Sequence, residues 1–397
     1  MTNVSQLISQ LSPSETLLMS QKSNELKARG VDVLNLSVGE PDFHTPDHIK
    51  EAAVKAIHDN YSFYSPVNGY PALRQAIADK LERDSRLTYS PNHIVVSNGA
   101  KQSVCNALLS IVNPGDEVIV PAPYWVSYVE MVKMTGGSGV IVSTSIDNHY
   151  KMTALQLSKA ITPRTKALIL CSPSNPTGSV YTKHELASLA SVLEEYPDIY
   201  IISDEIYEHI NYMSEHASIA QFPELRDRVI LINGVSKAYA MTGWRIGYMA
   251  APEHIAKACN KLQGQYTSGP CSVSQQAALA ALTGPQDCVR EMREAFRRRR
   301  DLVMQCCNEI PGLAANMPQG AFYIFPKCDS FFGKRAMSST VTDSASLSMY
   351  LLERAHVATV GGAAFGAPDC FRISYAASEK ILIEAMARIG GALAILV

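Results

Sequence analysis

At 397 residues the chain is too long for one ordinary hydrophobic core, and two domains are expected. With 47% hydrophobic and 18% charged residues, and 35 basic against 37 acidic side chains for a formal charge of −2, it reads as a soluble globular protein and gives no support for a nucleic-acid or membrane-surface partner. No run reaches the ~18 apolar residues of a membrane span, and the N-terminus lacks a basic segment followed by a long apolar core. A cytoplasmic location is therefore expected. The nine cysteines include no CxxC pair and no Cys/His cluster, so they read as buried free thiols in a reducing compartment, with no metal site.

In chain order, short apolar runs alternate with helix-period segments. The runs are HIVVS (93–97), DEVIVP (116–121), GVIVS (139–143), KALILCS (166–172), IYIISDE (199–205), RVILING (228–234) and RIGYMAA (245–251). Segments such as KQSVCNALLSIV and KHELASLASVLEE lie between them. This alternation predicts an α/β fold, with a mainly parallel sheet flanked by helices. No GxGxxG follows any strand, which removes the dinucleotide-binding form of that architecture. From about residue 286 the pattern changes to long helices interrupted by GAFYIFP (320–326) and CFRISYA (370–376), which predicts a smaller α+β domain. The Pro-rich stretch GEPDFHTP looks like a segment crossing back to it. The expected division is 47–285 for the large domain, and 1–46 with 286–397 for the small one. Within the latter, Arg297 to Arg300 read as the solvated basic face of an amphipathic helix.

Open α/β sheets bind ligands beyond the carboxyl ends of their strands. Asn175 follows one run in a stiff loop; Asp204 ends the next, with Tyr207 just beyond; Ser236 and Lys237 follow the third, and Arg245 lies eight residues on. The spacings, 29 residues from Asn175 to Asp204 and 33 from Asp204 to Lys237, each fit one strand–helix unit, so the three sets can converge. These are the residue types that pyridoxal 5′-phosphate chemistry needs. Lys237 can form the Schiff base. Asp204 can keep the pyridine nitrogen protonated, because an anion beside a cation favours the charged form. Tyr207 and Asn175 can hold the ring oxygen. The N–H groups of Gly99, Ala100 and Lys101, between a strand and a helix, can meet the phosphate, joined by Ser236 and Arg245. Trp125 can stack on the ring.

NPTG (175–178), SDEIYEHI (203–210) and SKAYAMTGWRIGY (236–248) resemble the class I/II aminotransferases, the fold-type I PLP enzymes. The likeness continues through SVGEPDF (37–43), YSPVNGYPALR (64–74), PYWVSY, GAFY and RISYA, across essentially the whole chain. It is strongest to the bacterial-type aspartate aminotransferases, including the branch that also uses prephenate. The resemblance implies that Arg372 binds the substrate α-carboxylate and that the backbone of Gly39 touches the substrate. It implies that Tyr64 reaches the phosphate of the other subunit's cofactor, in a homodimer with a shared active site. Lys237 would also move the proton from Cα. Lys101, with Thr16 as hydroxyl partner, matches the cation that takes a side-chain carboxylate, and Trp125 and Asn175 would also face the substrate. One departure is that the family's usual proline-glycine reads Gly361-Gly362, which puts the rigidity of that small-domain loop in question.

The implied reaction moves an amino group between aspartate or glutamate and a 2-oxo acid, 2-oxoglutarate or oxaloacetate, by a ping-pong Schiff-base mechanism. Prephenate is the extension. Another PLP reaction on the same fold (alanine or aromatic transfer, or a β-lyase) would keep every cofactor residue. A PLP-binding regulator would need a DNA-binding domain before the pattern, which begins here within the first ~15 residues.

Overall fold

The computed structural model describes residues 4–213, 215–336 and 339–397. Its centre is a seven-stranded sheet of β1 (Ile94–Asn98), β2 (Glu117–Ala122), β3 (Ser138–Ser143), β4 (Thr165–Cys171), β5 (Tyr200–Asp204), β6 (Val229–Gly234) and β7 (Ile246–Ala250). The spatial order is β1-β7-β6-β5-β4-β2-β3. All seven expected strands form. The central ones are buried along nearly their whole length, because helices cover both faces and each strand must be apolar on both. Six strands run in one direction, and β7 alone runs antiparallel to both neighbours, β1 and β6.

Helices that matter for the site are α1 (Glu15–Ala28), α2 (Ala100–Ile111), α3 (Ser127–Met134), α4 (Lys183–Glu194) and α5 (Asp287–Asn308). Helix α4 begins at a capping box. The Thr182 hydroxyl accepts from the Glu185 N–H, and the Glu185 carboxylate accepts from the Thr182 N–H at 2.8 Å. Helix α2 begins at Gly99, whose φ of +81° is a left-handed backbone that glycine adopts without strain.

A second, three-stranded antiparallel sheet pairs β8 (Tyr323–Ile324) and β9 (Val360–Gly361) with a central β10 (Phe371–Ser374). It packs with α5 and the C-terminal helix Glu379–Ala394 around Phe296, Phe322, Ile373 and Ile389. Leu34 and Asn35 pair in parallel with Val357 and Ala358, so the N-terminal segment does return to this part of the chain. Gly361 and Gly362 are tightly held. A Cβ on Gly361 would sit 2.9 Å from the Ser344 oxygen, one on Gly362 would sit 2.2 Å from the Ala367 oxygen, and the Gly362 N–H donates to the Cys370 oxygen at 2.8 Å. Close backbone packing fixes this loop where a proline ring would otherwise do so.

The basic run on α5 differs from expectation. Arg297 and Arg298 are exposed, but Arg299 is buried. It makes a two-pronged pair with Asp42 at 2.6 and 3.0 Å, over the Phe43 ring. The sequence pattern could not show this, because the partner lies in the N-terminal crossing segment. Cys271 likewise is exposed, not buried. Among the described residues no helix is long and apolar enough to cross a membrane.

The reversal of β7 brings its first residues against the start of α2. A Cβ on Gly247 would lie 2.1 Å from the Ala100 nitrogen, with backbone on both sides of the contact. Gly247→Ala is expected to cost about 1–3 kcal/mol of stability, measured by urea unfolding. An unchanged midpoint would mean that the start of α2 can shift without penalty.

Candidate active site

The carboxyl ends of the parallel strands and the N-terminal end of β7 share one edge, and a cavity of about 310 Å³ opens there. Asn175 stands beyond β4, Asp204 ends β5, and Ser236 and Lys237 follow β6. Arg245 precedes β7, which is why the antiparallel strand delivers its residue to the same edge. Trp125 comes from the turn after β2, and Ala100 and Lys101 from the start of α2. Tyr207, Arg372 from β10, Gly39 from the crossing segment and Thr16 from α1 complete the wall.

Lys237 is half-buried, and its amine donates to the Gly39 oxygen at 2.7 Å. Burial pushes its pKa down to about 8, Glu40 opposes, and Arg245 and Arg372 add to the fall. A neutral amine is therefore accessible near neutral pH. Gly39 must lack a side chain, because a Cβ there would meet the Tyr323 hydroxyl at 2.2 Å. Asp204 is 4% exposed, and burial pushes its carboxyl up to about 6. The Tyr128 hydroxyl, donating to Oδ2 at 2.7 Å, and the Ile206 N–H, donating to Oδ1 at 3.3 Å, pull the other way. The Tyr207 and Tyr323 hydroxyls lie 2.8 Å apart, and burial raises both phenols well out of the physiological range.

Arg372 is buried yet only partly satisfied. It donates to Asn175 Oδ1 at 2.9 Å and to the Ser37 oxygen at 2.5 Å, and its guanidinium stacks 4.6 Å from the Tyr323 ring centroid. Its Nε has no partner. A buried cation with an orphan donor is costly unless an anion completes it. A second positive locus lies at α2. The Ala100 and Lys101 N–H groups, in the first turn, have no intrahelical acceptor. Arg245 sits against Gly99 so closely that a Cβ there would meet Nη2 at 2.4 Å. Its Nη1 donates only to the Thr242 oxygen, at 2.9 Å. Lys101 extends over the Trp125 ring at 4.9 Å, and burial together with Arg245 lowers its pKa.

Thirteen of the fourteen singled-out residues thus gather at this edge, with Gly99 as the cap behind the wall. Tyr64 does not: it is 98% exposed on the loop before helix Pro71–Ser85, beside Phe63 at 80%. Sequence reasoning missed Tyr128, Tyr323 and the Ser37 carbonyl. The first two stood inside motifs already marked, PYWVSY and GAFY. Tyr128 lies one helical turn after Trp125, and its ring packs edge-on to it at 5.3 Å.

Residues 31–389 match the family model for aminotransferase class I and II. An aspartate/prephenate aminotransferase of Cereibacter sphaeroides is 48% identical over 392 residues, 98% of each chain. A bifunctional aspartate aminotransferase and glutamate/aspartate-prephenate aminotransferase of Petunia hybrida is 45% identical, over 98% of this chain and 83% of its own. Among solved structures, the aspartate aminotransferase of Rhizobium meliloti superposes with a TM-score of 0.96 at 43% identity, covering 100% of both chains. That of Thermus thermophilus with maleate superposes at 0.92 and 41%, covering 99% of this chain and 100% of its own.

The shift at Asp204 has a stability consequence of definite sign. Its carboxyl holds a proton up to about pH 6 in the fold but only to 3.8 as an ordinary carboxyl, so the ionised form destabilises the ligand-free fold above pH 6. This penalty fades as the pH falls through 6 toward 3.8. Asp204→Asn should therefore raise the stability of the ligand-free protein by about 2–3 kcal/mol at pH 8, and by little near pH 4. Melting curves across that range check it, and a constant difference at all pH values would contradict it.

Proposed function

The chain belongs to the class I and II aminotransferases, and from that premise we propose that it moves the amino group of aspartate or glutamate to a 2-oxo acid, using pyridoxal 5′-phosphate held by Lys237. The observation that carries this reading is the convergence of a poised amine, a buried carboxylate and an incompletely paired arginine, Lys237, Asp204 and Arg372, on one cavity.

The cavity suits the cofactor. Its phosphate fits the cationic corner formed by the Ala100 and Lys101 N–H groups, Ser236 and Arg245, where Gly99 leaves room for the guanidinium. Asp204, kept as an acceptor by Tyr128 and Ile206, would hold the protonated ring nitrogen; Tyr207 and Asn175 would hold the ring oxygen; Trp125 would lie against the ring. When bound, pyridoxal 5′-phosphate supplies the aldehyde that carries the amino group and the electron-withdrawing ring that makes the substrate Cα acidic.

The chain's own groups supply the rest. Arg372 takes the substrate α-carboxylate with the donor it leaves unpaired, and Asn175, already bonded to it, fixes its plane. Lys237, titrating near 8, can take the Cα proton and return it elsewhere. The Gly39 oxygen fixes that amine between tasks. Burial of this corner excludes water, which strengthens each of these charged contacts.

For the donor, Lys101 and Thr16 stand at the cavity wall where a second carboxylate would need a cation and a hydroxyl. The relatives named for aspartate and prephenate favour this reading, and favour prephenate as a further acceptor. We also infer a homodimer in which Tyr64 reaches the partner's cofactor, since Tyr64 and Phe63 are two adjacent, almost fully exposed aromatics. We place the cofactor-holding domain at 47–285 and the smaller one at 1–46 with 286–397, supported by separate apolar clusters around the two sheets. The nine unpaired thiols suit a cytoplasmic enzyme.

Two outcomes test this. Adding aspartate to the cofactor-loaded protein should move its visible absorbance band to the near-ultraviolet and release oxaloacetate, and Lys237→Ala should abolish the release. A band that ignores aspartate would shift the donor to another amino acid. Lys101→Ala should raise the KM for aspartate by at least tenfold (roughly the 1.5–3 kcal/mol of a hydrogen bond to a charged group), with little change for alanine. Equal effects on the two donors would sink the carboxylate-binding role.

A further inference from the structure

Behind Asp204, on the side away from the cavity, lies a buried ionic network that the reaction does not itself employ. Glu205, the next residue, is 1% exposed. Its Oε1 accepts from Ser203 Oγ at 2.9 Å and from Ser218 Oγ at 2.6 Å, and its Oε2 lies 2.8 Å from His216 Nε2. Glu208, three residues on, is also buried and pairs with the ammonium of Lys80, itself 1% exposed. Oxygens of Glu205 and Glu208 and a nitrogen of His216 lie within 4.8 Å of one another. Two carboxylates this close and this dry cannot both stay ionised without two cations. Lys80 is one. Two histidines among the described residues reach these carboxylates, His209 at 3.4 Å from Glu208 and His216 at 2.8 Å from Glu205; burial lowers the pKa of His209, which leaves His216 to serve.

The surroundings bear this out element by element. Helix Pro71–Ser85 contributes Lys80, which also lies 3.6 Å from Asp84, and Arg83 at the rim of a second cavity of about 200 Å³ that adjoins the network. The turn itself contributes Glu205, Glu208, His209 and Glu215. His209 is held neutral, burial lowering its pKa against Glu208. Tyr89 senses both Glu205 and Arg226, and Arg290 and Arg293 of α5 stand across the adjoining cavity. Burial opposes a charge on His216, but Glu205 and Glu208 outweigh it and raise its pKa. The His216 Nδ1 atom is buried without a partner, so its one fixed contact is the ion pair.

We propose that His216 is a positioning residue: as an imidazolium it cancels the charge of Glu205, whose unbalanced field would otherwise press a proton onto the adjacent Asp204, and so keeps Asp204 ionised for the ring nitrogen of the cofactor. Glu205 acts on Asp204 in that direction, raising its pKa. The turn that carries Tyr207 lies between Glu205 and Glu208 and is closed by backbone bonds, from the Glu208 N–H to the Glu205 carbonyl at 2.9 Å and from the Ile210 N–H to the Tyr207 carbonyl at 2.8 Å. The proposal rests on pyridoxal 5′-phosphate being the ligand, and its test reads binding, not turnover.

The affinity of the cofactor-free protein for pyridoxal 5′-phosphate, followed by fluorescence quenching from pH 5 to 9, should fall on the acid side as Asp204 takes up its proton. In His216→Leu this acid limb should move up by about one pH unit. His216→Gln, which keeps a hydrogen bond but no charge, should move it likewise and stands in if the leucine variant does not fold. Glu205→Gln should not move the limb upward, and Glu205→Gln/His216→Leu should return it to the wild-type position. An unmoved limb in both His216 variants, or a double variant as shifted as the single, would overturn the charge-balancing role. Absence of binding by the wild-type protein at every pH would instead refute the cofactor assignment on which it stands.

Discussion

A carboxylate and an amine share one water-poor corner at the edge of the large sheet, and desolvation drives each toward its neutral form. Burial moves Asp204 up to about 6 and Lys237 down to about 8, so near neutral pH both stand close to a change of state. A surface pair would show neither shift. Much of what surrounds them adjusts this tendency. Tyr128 and the Ile206 N–H restrain Asp204, while Arg245 and Arg372 reinforce the shift at Lys237 and Glu40 resists it. The corner is thus a balance of opposed fields, and its cost in stability is of the kind found where function needs charge away from water.

The same constraint explains why the N-terminal crossing segment is bound in so many places. Its carbonyls at Ser37 and Gly39 accept from the buried Arg372 and the half-buried Lys237. Asp42, a few residues on, engages Arg299 in two bonds, and Leu34–Asn35 pair in parallel with Val357–Ala358. A segment without regular structure of its own is thereby fixed at both ends and in the middle. It forms part of the wall facing the sheet and joins the two apolar clusters mechanically. Groups toward the open side, Lys101 and Thr16, lack such anchors, which leaves the choice of substrate side chain separable from the chemistry.

Much of this was legible in the sequence, for a local reason. The apolar runs were unambiguous because strands buried on both faces can carry few polar residues, and strand ends declare themselves by the first polar residues after the run. Asn175, Asp204, Ser236 and Lys237 could therefore be placed at one edge without knowing the order of strands. Motif likeness added Gly39, Thr16 and Arg372, which no periodicity marks, because they come from segments remote in sequence. Arg299 was misread as a solvated charge for the same cause: its partner is 257 residues away, at Asp42.

What the sequence determined by itself was the fold class, the seven strands and the identities of the groups at their ends, since each depends on a few consecutive residues. Tertiary structure alone decided the reversal of β7, which brings Arg245 to the edge from the N-terminal side of its strand and requires Gly247 against Ala100. It decided that Asp204 has Tyr128 as its donor, and that Glu205 and His216 meet 2.8 Å apart behind it. These are relations between side chains that meet only after the sheet has closed. Their energies come from distance and from the exclusion of water, neither of which is encoded at any single position of the chain.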